Sequence, residues 1–286
     1  MDIQPTDCKI CGSASEQAFR KLVLQKYEVS FYRCSECGFM QSEDPYWLRE
    51  AYLIPLSITD TGLIQRPLQM SSKVECLILK YLNPRGMFLD YGGGNGVFTR
   101  IMRDKGFNFY HYDRYTQNVF AVGFDLSDIM EQKPDFELVT AIEVIEHLSD
   151  PVEDMGKLFC FSDNVLVTTL LQEQADIDDL ENWDYLGEFN GQHVSLYTLE
   201  SLNILAEKHG RFCYSDRFST HFFSRKKISN FSFSERYDVS FPHFIRNRFV
   251  KYVDRMYFAF FGKKHEKLPQ SLTMKDQENL RNRISK

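Results

Sequence analysis

The chain has 286 residues, 43% of them apolar, enough to bury a full core, and no run of eighteen apolar residues occurs, which argues against a membrane-spanning helix. Its formal charge of −6 is unevenly spread: from Arg217 onward 16 Lys+Arg stand against 6 Asp+Glu, and before it 18 stand against 34. An acidic body disfavours broad nucleic-acid binding, and a basic tail calls for a partner of opposite sign. The opening "MDIQPTDCKICGS" starts with an acid and lacks an apolar stretch, so the expected location is cytoplasmic.

Seven cysteines, four of them within the first 37 residues, fit a reduced compartment and a metal site better than a disulfide framework. The four form two copies of one unit, "CKICG" with Cys8 and Cys11 and "CSECG" with Cys34 and Cys37, separated by the strand-like segment "LVLQKYEVSFYRC". Each Cys-x-x-Cys-Gly turn aims two thiolates at one point, and two turns complete the four-sulfur tetrahedron that Zn2+ favours. With all four positions filled by protein, the expected zinc is structural, and it supplies the folding free energy that a ribbon of this size lacks.

"GMFLDYGGGNGVFTRIMRDKG" reads as strand, glycine turn and helix, preceded by a helix at "SSKVECLILKYL". Gly92, Gly93, Gly94 and Gly96 allow close backbone approach to a ligand, and a second strand, "FYHYDRY", ends in Asp113, an acid able to accept hydrogen bonds from a ribose diol. Asp90 stands two positions before the first glycine, where it would repel a pyrophosphate but suits a cationic cofactor. Here the chain resembles the class I S-adenosylmethionine-dependent methyltransferases, whose first motif is this acid-and-glycine loop.

The resemblance spans roughly residues 70 to 228. It implies an α/β, Rossmann-like sheet of seven strands, and further strands are expected at "NVFAVGFDL", "FELVTAI", "NVLVTTLL", "RFCYSDRF" and "THFFSRKK", the last two as a closing hairpin, with helices at "DPVEDMGKLF" and "TLESLNILAEKHG". By the same likeness Asp90, Gly92, Gly94 and Gly96 would hold the methionyl part of S-adenosyl-L-methionine, Asp113 the ribose, and Asp125 the adenine edge. Only a few residues separate Asp113 from the next expected strand, too few for the family's usual intervening helix.

"AIEVIEHLSDP" follows the fourth strand. A helix beginning after Ile142 would set Glu143, Glu146 and His147 on one face, looking into the cleft at the carboxyl edge of the sheet. His193, in "NGQHVSLYTLESL", precedes the helix where the family places a residue across the same cleft. Two roles compete: a histidine general base oriented by a carboxylate, or a divalent Mg2+ or Mn2+ site built from Glu143, Glu146, His147 and His193. The second is implied by a resemblance to small-RNA 2'-O-methyltransferases and ubiquinone-pathway O-methyltransferases, which carry a similar Glu-x-x-Glu-His run. A structural helix-capping role is the third reading.

A connection of about 26 residues, "QEQADIDDLENWDYLGEFNGQHVSLY", is long for a compact domain. Its Trp183, Tyr185 and Phe189, flanked by acids, suit the stacking and hydroxyl recognition that hold a sugar ring, with Trp183 and Tyr185 the expected substrate contacts. From Phe241 the tail reads as a basic amphipathic helix, with Ile245, Phe249, Tyr252, Val253, Met256 and Phe260 at helical spacing and Arg246, Arg248, Lys251 and Arg255 between them. It would dock on the core, join a second copy, or lie on an anionic membrane face.

The expected organisation is therefore a zinc ribbon over 1–45, a methyltransferase domain over 46–228 and a basic helical extension over 229–286. The loop "NWDYLGEFNGQHVSLYTLESL" resembles zinc-ribbon methyltransferases linked to bacterial surface polysaccharides, which implies O-methylation of a sugar hydroxyl in an O-antigen or its precursor. An RNA methyltransferase with a zinc module is the enzyme alternative, opposed by the acidic body and by the lack of an Asn/Asp-Pro-Pro-Tyr type motif. A non-catalytic binding module is opposed by retention of Asp90, Asp113, Glu143 and His147.

Overall fold

The computed structural model describes residues 6–53, 62–172 and 177–233, together with Leu272 and Asp276. The chain opens with strands β1 (Thr6–Asp7), β2 (Ala14–Val23), β3 (Tyr27–Cys34) and β4 (Met40–Ser42). The strand-like segment between the cysteine pairs folds back on itself, because Leu24 and Gln25 both take left-handed φ angles of 53° and 54°, the pairing that a tight hairpin turn needs. Helices α1 (Leu48–Ala51) and α2 (Gln65–Tyr81) follow.

The second sheet takes β5 (Met87–Tyr91), helix α3 (Val97–Asp104), β6 (Asn108–Tyr112), β7 (Phe136–Ile142), helix α4 (Pro151–Phe159) and β8 (Asn164–Thr168). After α5 (Ile177–Glu181), β9 (Ser195–Leu196) and α6 (Leu199–Lys208), it closes with the hairpin β10 (Phe212–Ser215) and β11 (Thr220–Ser224). The order is β10-β11-β8-β7-β5-β6, with β6, β5, β7 and β8 parallel and the last two antiparallel. The chain leaves β5 toward β6 and returns to β7 on β5's other side. A ligand cleft opens where the order reverses, beyond the carboxyl ends of β5 and β7.

The central strands are apolar on both faces, as a parallel sheet covered by helices requires. Phe88, Leu138, Leu166 and Phe222 face Val74, Leu77 and Ile78 of α2 and Phe98 and Met102 of α3. Leu89, Val139, Val167 and Phe223 face Met155 and Leu158 of α4 and Leu202 and Leu205 of α6. Cys8, Cys34, Cys37 and Phe39 belong to this second cluster, so the cysteine end of the ribbon is part of the main core. β9 pairs with β4, Met40 opposite Leu196 and Gln41 opposite Ser195, which extends the ribbon sheet to five strands.

Among the described residues the main sheet has six strands, and the strand expected at 118–126 is reduced to a single bridge between His111 and Asp125. The Asn118 side chain bonds the amide and carbonyl of Ala121 at 2.9 Å each, and Gly123 sits at φ +85°, so side-chain bonds hold a loop where a ladder was expected. The basic helix expected from Phe241 lies outside the described residues. Further on, Asp276 is buried against α3 with a two-pronged ion pair to Arg103, at 2.7 and 2.8 Å, and a third contact to Arg100 at 3.0 Å. Among the described residues no helix is long and apolar enough to cross a membrane.

Candidate active site and four-cysteine cluster

A cleft of about 1110 Å3 lies over the carboxyl ends of β5 and β7. One wall is the glycine loop. Gly92, Gly94 and Gly96 have φ of +70°, +56° and +85°. A Cβ on Gly92 would stand 2.6 Å from Val144, and one on Gly93 2.6 Å from Asp90, so the loop lies directly on its neighbours, while Gly94 faces open space in the cleft. Asp113 braces the loop from β6, accepting the Gly94 amide at 2.9 Å and the Tyr115 and Thr116 amides at 2.7 Å.

Asp90 is 1% exposed, and its carboxylate accepts the hydroxyls of Thr99 at 2.9 Å and Thr140 at 3.1 Å. Burial raises its pKa from 3.8 to about 6. Asp125 does not line the cleft. It bonds His111 Nδ1 at 2.9 Å and Asn118 at 3.0 Å, and His111 Nε2 meets the Gly94 carbonyl at 2.8 Å. The expected adenine contact is thus placed behind the glycine loop, because the third strand that would have carried it forward is a loop.

The opposite wall is the ledge after β7. The chain does not turn α-helical there: Glu143 takes φ +54°, a 3-10 turn spans Ile145–His147, and α4 starts only at Pro151, where the Asp150 side chain caps the Glu153 amide at 3.0 Å. Glu143 therefore falls outside the set of ligand atoms that its expected partners form. Its carboxylate accepts the Thr168 hydroxyl at 2.7 Å and lies 4.0 Å from Arg66. Glu146, His147 and His193 do come together, with one ligand atom from each within 4.8 Å of the others. Val194 N to Glu146 O at 2.9 Å, Ser195 Oγ to Leu148 O at 2.6 Å and Tyr197 OH to Ile145 O at 2.8 Å staple the two distant segments.

Each member is held from behind. Tyr185 OH donates to Glu146 Oε1 at 2.5 Å, the Tyr185 carbonyl accepts His193 Nδ1, and Tyr52 OH meets His147 Nδ1 at 3.0 Å. Glu146 is fully buried, and its Oε2 has no hydrogen-bond donor among the described residues. Burial, then the charge of Glu143, pushes the Glu146 pKa well above the usual carboxylate range. Burial, then His193, pushes His147 well below the usual histidine value, which favours the neutral ring. An apposed carboxylate oxygen and two imidazoles form a donor set that fits a divalent cation. Tyr185 lines the cleft, whereas Trp183 is absent from its wall and packs behind Tyr185 at a ring separation of 5.1 Å. Sequence reasoning missed Tyr52 and Arg66, which no motif marks, and Tyr115, whose only signal was its place two residues after Asp113.

The four cysteines also converge, with Sγ atoms 3.6 Å apart for Cys8 and Cys37 and 3.4 Å apart for Cys11 and Cys34. The Ile10 and Cys37 amides point at sulfurs, as zinc knuckles require, and four thiols with no other donor suit a tetrahedral zinc. Thr198 Oγ1 to Cys37 O at 2.6 Å, and Gln172 Nε2, which donates to Gly38 O at 2.9 Å and Leu196 O at 2.8 Å, tie this cluster to the segment that carries His193.

The family described as "Methyltransferase domain" matches residues 63–211. Solved structures similar to this chain include CalO1, a methyltransferase of calicheamicin biosynthesis, at 17% identity over 56% of this chain and 55% of that one, TM-score 0.39. Others are the mitomycin 7-O-methyltransferase MmcR, at 15% over 63% and 57%, TM-score 0.39, and the Burkholderia thailandensis 1,6-didemethyltoxoflavin-N1-methyltransferase, at 10% over 68% and 93%, TM-score 0.43. The chain spans little more than half the length of the first of these. No curated protein matches.

Proposed function

We propose, from the premise that this chain belongs to the methyltransferase-domain family and transfers the methyl group of S-adenosylmethionine, that its acceptor is a sugar hydroxyl of a bacterial surface polysaccharide or its precursor. In this reading Glu146, His147 and His193 hold a divalent cation, and Cys8, Cys11, Cys34 and Cys37 hold a structural zinc. The observation that carries the ledge's role is the buried Glu146 Oε2, left without a donor beside two imidazoles. A buried carboxylate oxygen left unpaired costs several kcal/mol unless a cation or proton satisfies it.

Methyl transfer is an in-line displacement, and a sugar hydroxyl, with a pKa far above seven, is a weak nucleophile until its proton is drawn off. A divalent cation bound at Glu146, His147 and His193 would lower the pKa of a hydroxyl it coordinates. The protein's own residues do the rest. The Asp113-braced glycine loop receives the cofactor, Tyr185 keeps Glu146 and His193 in place, and Glu143, a carboxylate on the cleft wall outside that donor set, is left to accept the proton. Arg66, Glu143, Asp184 and Gln192 on the cleft wall offer polar partners to a hydroxyl-rich acceptor.

The test is twofold. Mn2+ titrated into the chelator-dialysed full chain and followed by electron paramagnetic resonance should bind at a site that His147→Gln removes, and no binding would overturn the cation assignment. Surface polysaccharide from the host strain should lose an O-methyl group when the gene is deleted, and an unchanged glycan would overturn the acceptor.

A further inference from the structure

We propose that Tyr52 is a positioning residue whose hydroxyl oxygen accepts the Nδ1–H of His147, fixing that imidazole with its lone pair on Nε2. The inference rests on the reading of Glu146, His147 and His193 as a cation site. Tyr52 precedes residues 63–211, the segment matched to the family, so the ribbon side of the chain would complete the active site.

The two histidines need the same tautomer to serve one cation. His193 obtains it from the Tyr185 carbonyl, which can only accept and therefore places the hydrogen on Nδ1. His147 faces a hydroxyl at 3.0 Å, which can donate or accept, so its tautomer depends on how that hydroxyl is held. The Tyr52 ring is stacked on Tyr115 at 4.1 Å and 12°, and the Tyr115 amide is anchored on Asp113. Its backbone is clamped as well. The preceding residue's carbonyl, Ala51 O, accepts Gln192 Nε2 at 3.0 Å, and Trp47 Nε1 donates to Gly191 O at 2.8 Å. The stretch bearing His193 thus grips the short helix that Tyr52 terminates.

Partners that orient a metal-binding imidazole are typically worth 10–100-fold in metal affinity. Tyr52→Phe keeps the stacked ring and removes only the oxygen. It should weaken Mn2+ binding about tenfold or more, leave S-adenosylhomocysteine affinity within about twofold, and give the His147 ring a mixed tautomer in long-range 1H–15N spectra of the histidine-labelled full chain. Tyr115→Ala, which frees the ring but keeps the hydroxyl, should show the same changes in smaller measure. Unchanged Mn2+ affinity in Tyr52→Phe, in protein where His147→Gln abolishes binding, would overturn the role of Tyr52 and leave the cation reading standing. If the wild type binds no Mn2+, the cation reading falls and the spectra decide: an altered His147 tautomer in Tyr52→Phe supports the positioning role, and an identical one overturns it. Should the variant fail to fold, the wild-type spectrum is sufficient, since a hydrogen on His147 Nε2 contradicts the proposal.

Discussion

The two walls of the cleft are built on different principles. The glycine-loop wall is local: Asp90, the glycines and Asp113 fall within 24 consecutive residues of two adjacent parallel strands, and each carboxylate is satisfied by amides or hydroxyls. The ledge is assembled from the segments bearing Tyr52, Glu146, Tyr185 and His193, and it keeps an unsatisfied oxygen at its centre. A wall whose polar groups are already paired serves as a rigid cradle. One that holds a buried carboxylate open has stability set aside for a ligand.

The largest effect should come from the part of the ledge farthest from the chemistry. Cys34→Ser removes one ligand from the four-sulfur cluster, and bound zinc, measured by metal analysis, should be lost with it. The cluster reaches the His193 segment through Thr198 and Gln172. Methyl transfer should therefore fall by about a hundredfold or more, while S-adenosylhomocysteine still binds by calorimetry. Equal loss of both would mean that the two walls fold as one unit and would break the contrast.

Glu146→Gln sharpens it. The amide is an isostere that keeps the Tyr185 hydroxyl as donor but removes the charge, so methyl transfer should drop by about a hundredfold with cofactor affinity preserved. The amide cannot ionise, so the metal-free variant is spared the cost of a buried charge and should become more stable by about 1–3 kcal/mol in denaturant unfolding at neutral pH. A variant that is less stable than the wild type would show that the carboxylate is already satisfied without a cation.

This difference between the walls also governs what could be read in advance. The glycine loop, β5, β6, β7 and the closing hairpin follow from short-range spacing, and so do the two Cys-x-x-Cys-Gly turns. The meeting of Glu146 and His147 with His193 required only the expectation of a shared cleft. What failed depended on competition between local and side-chain bonding. The strand at 118–126 lost to Asn118 and Gly123, and the helix after Ile142 lost to the left-handed Glu143, which moved that carboxylate to Thr168 and Arg66. The pairing of β4 with β9 and the reach of Tyr52 to His147 join residues about 155 and 95 apart, and no periodicity encodes such contacts.

The smallest effect on binding and turnover is expected at the best-satisfied group, and its part in stability depends on pH. Asp90 has a folded pKa of about 6 against an ordinary 3.8, so the native state binds its proton more tightly than the unfolded chain does. Its contribution to stability is fully present below pH 3.8 and is lost as pH rises through about 6. Asp90→Asn removes that loss while still offering hydrogen bonds to Thr99 and Thr140. The variant should gain stability relative to wild type between pH 4 and 7 by about 2–3 kcal/mol, read as a pH-dependent difference in unfolding midpoint; a difference that stays flat with pH would mean that Asp90 is not held above its ordinary range. If this loop receives the sulfonium, as proposed above, the carboxylate beneath it also favours the charged cofactor over its neutral product. Asp90→Asn should therefore weaken S-adenosylmethionine several-fold more than S-adenosylhomocysteine, and equal weakening of the two would leave Asp90 as a brace for the glycine loop with no electrostatic part in cofactor choice.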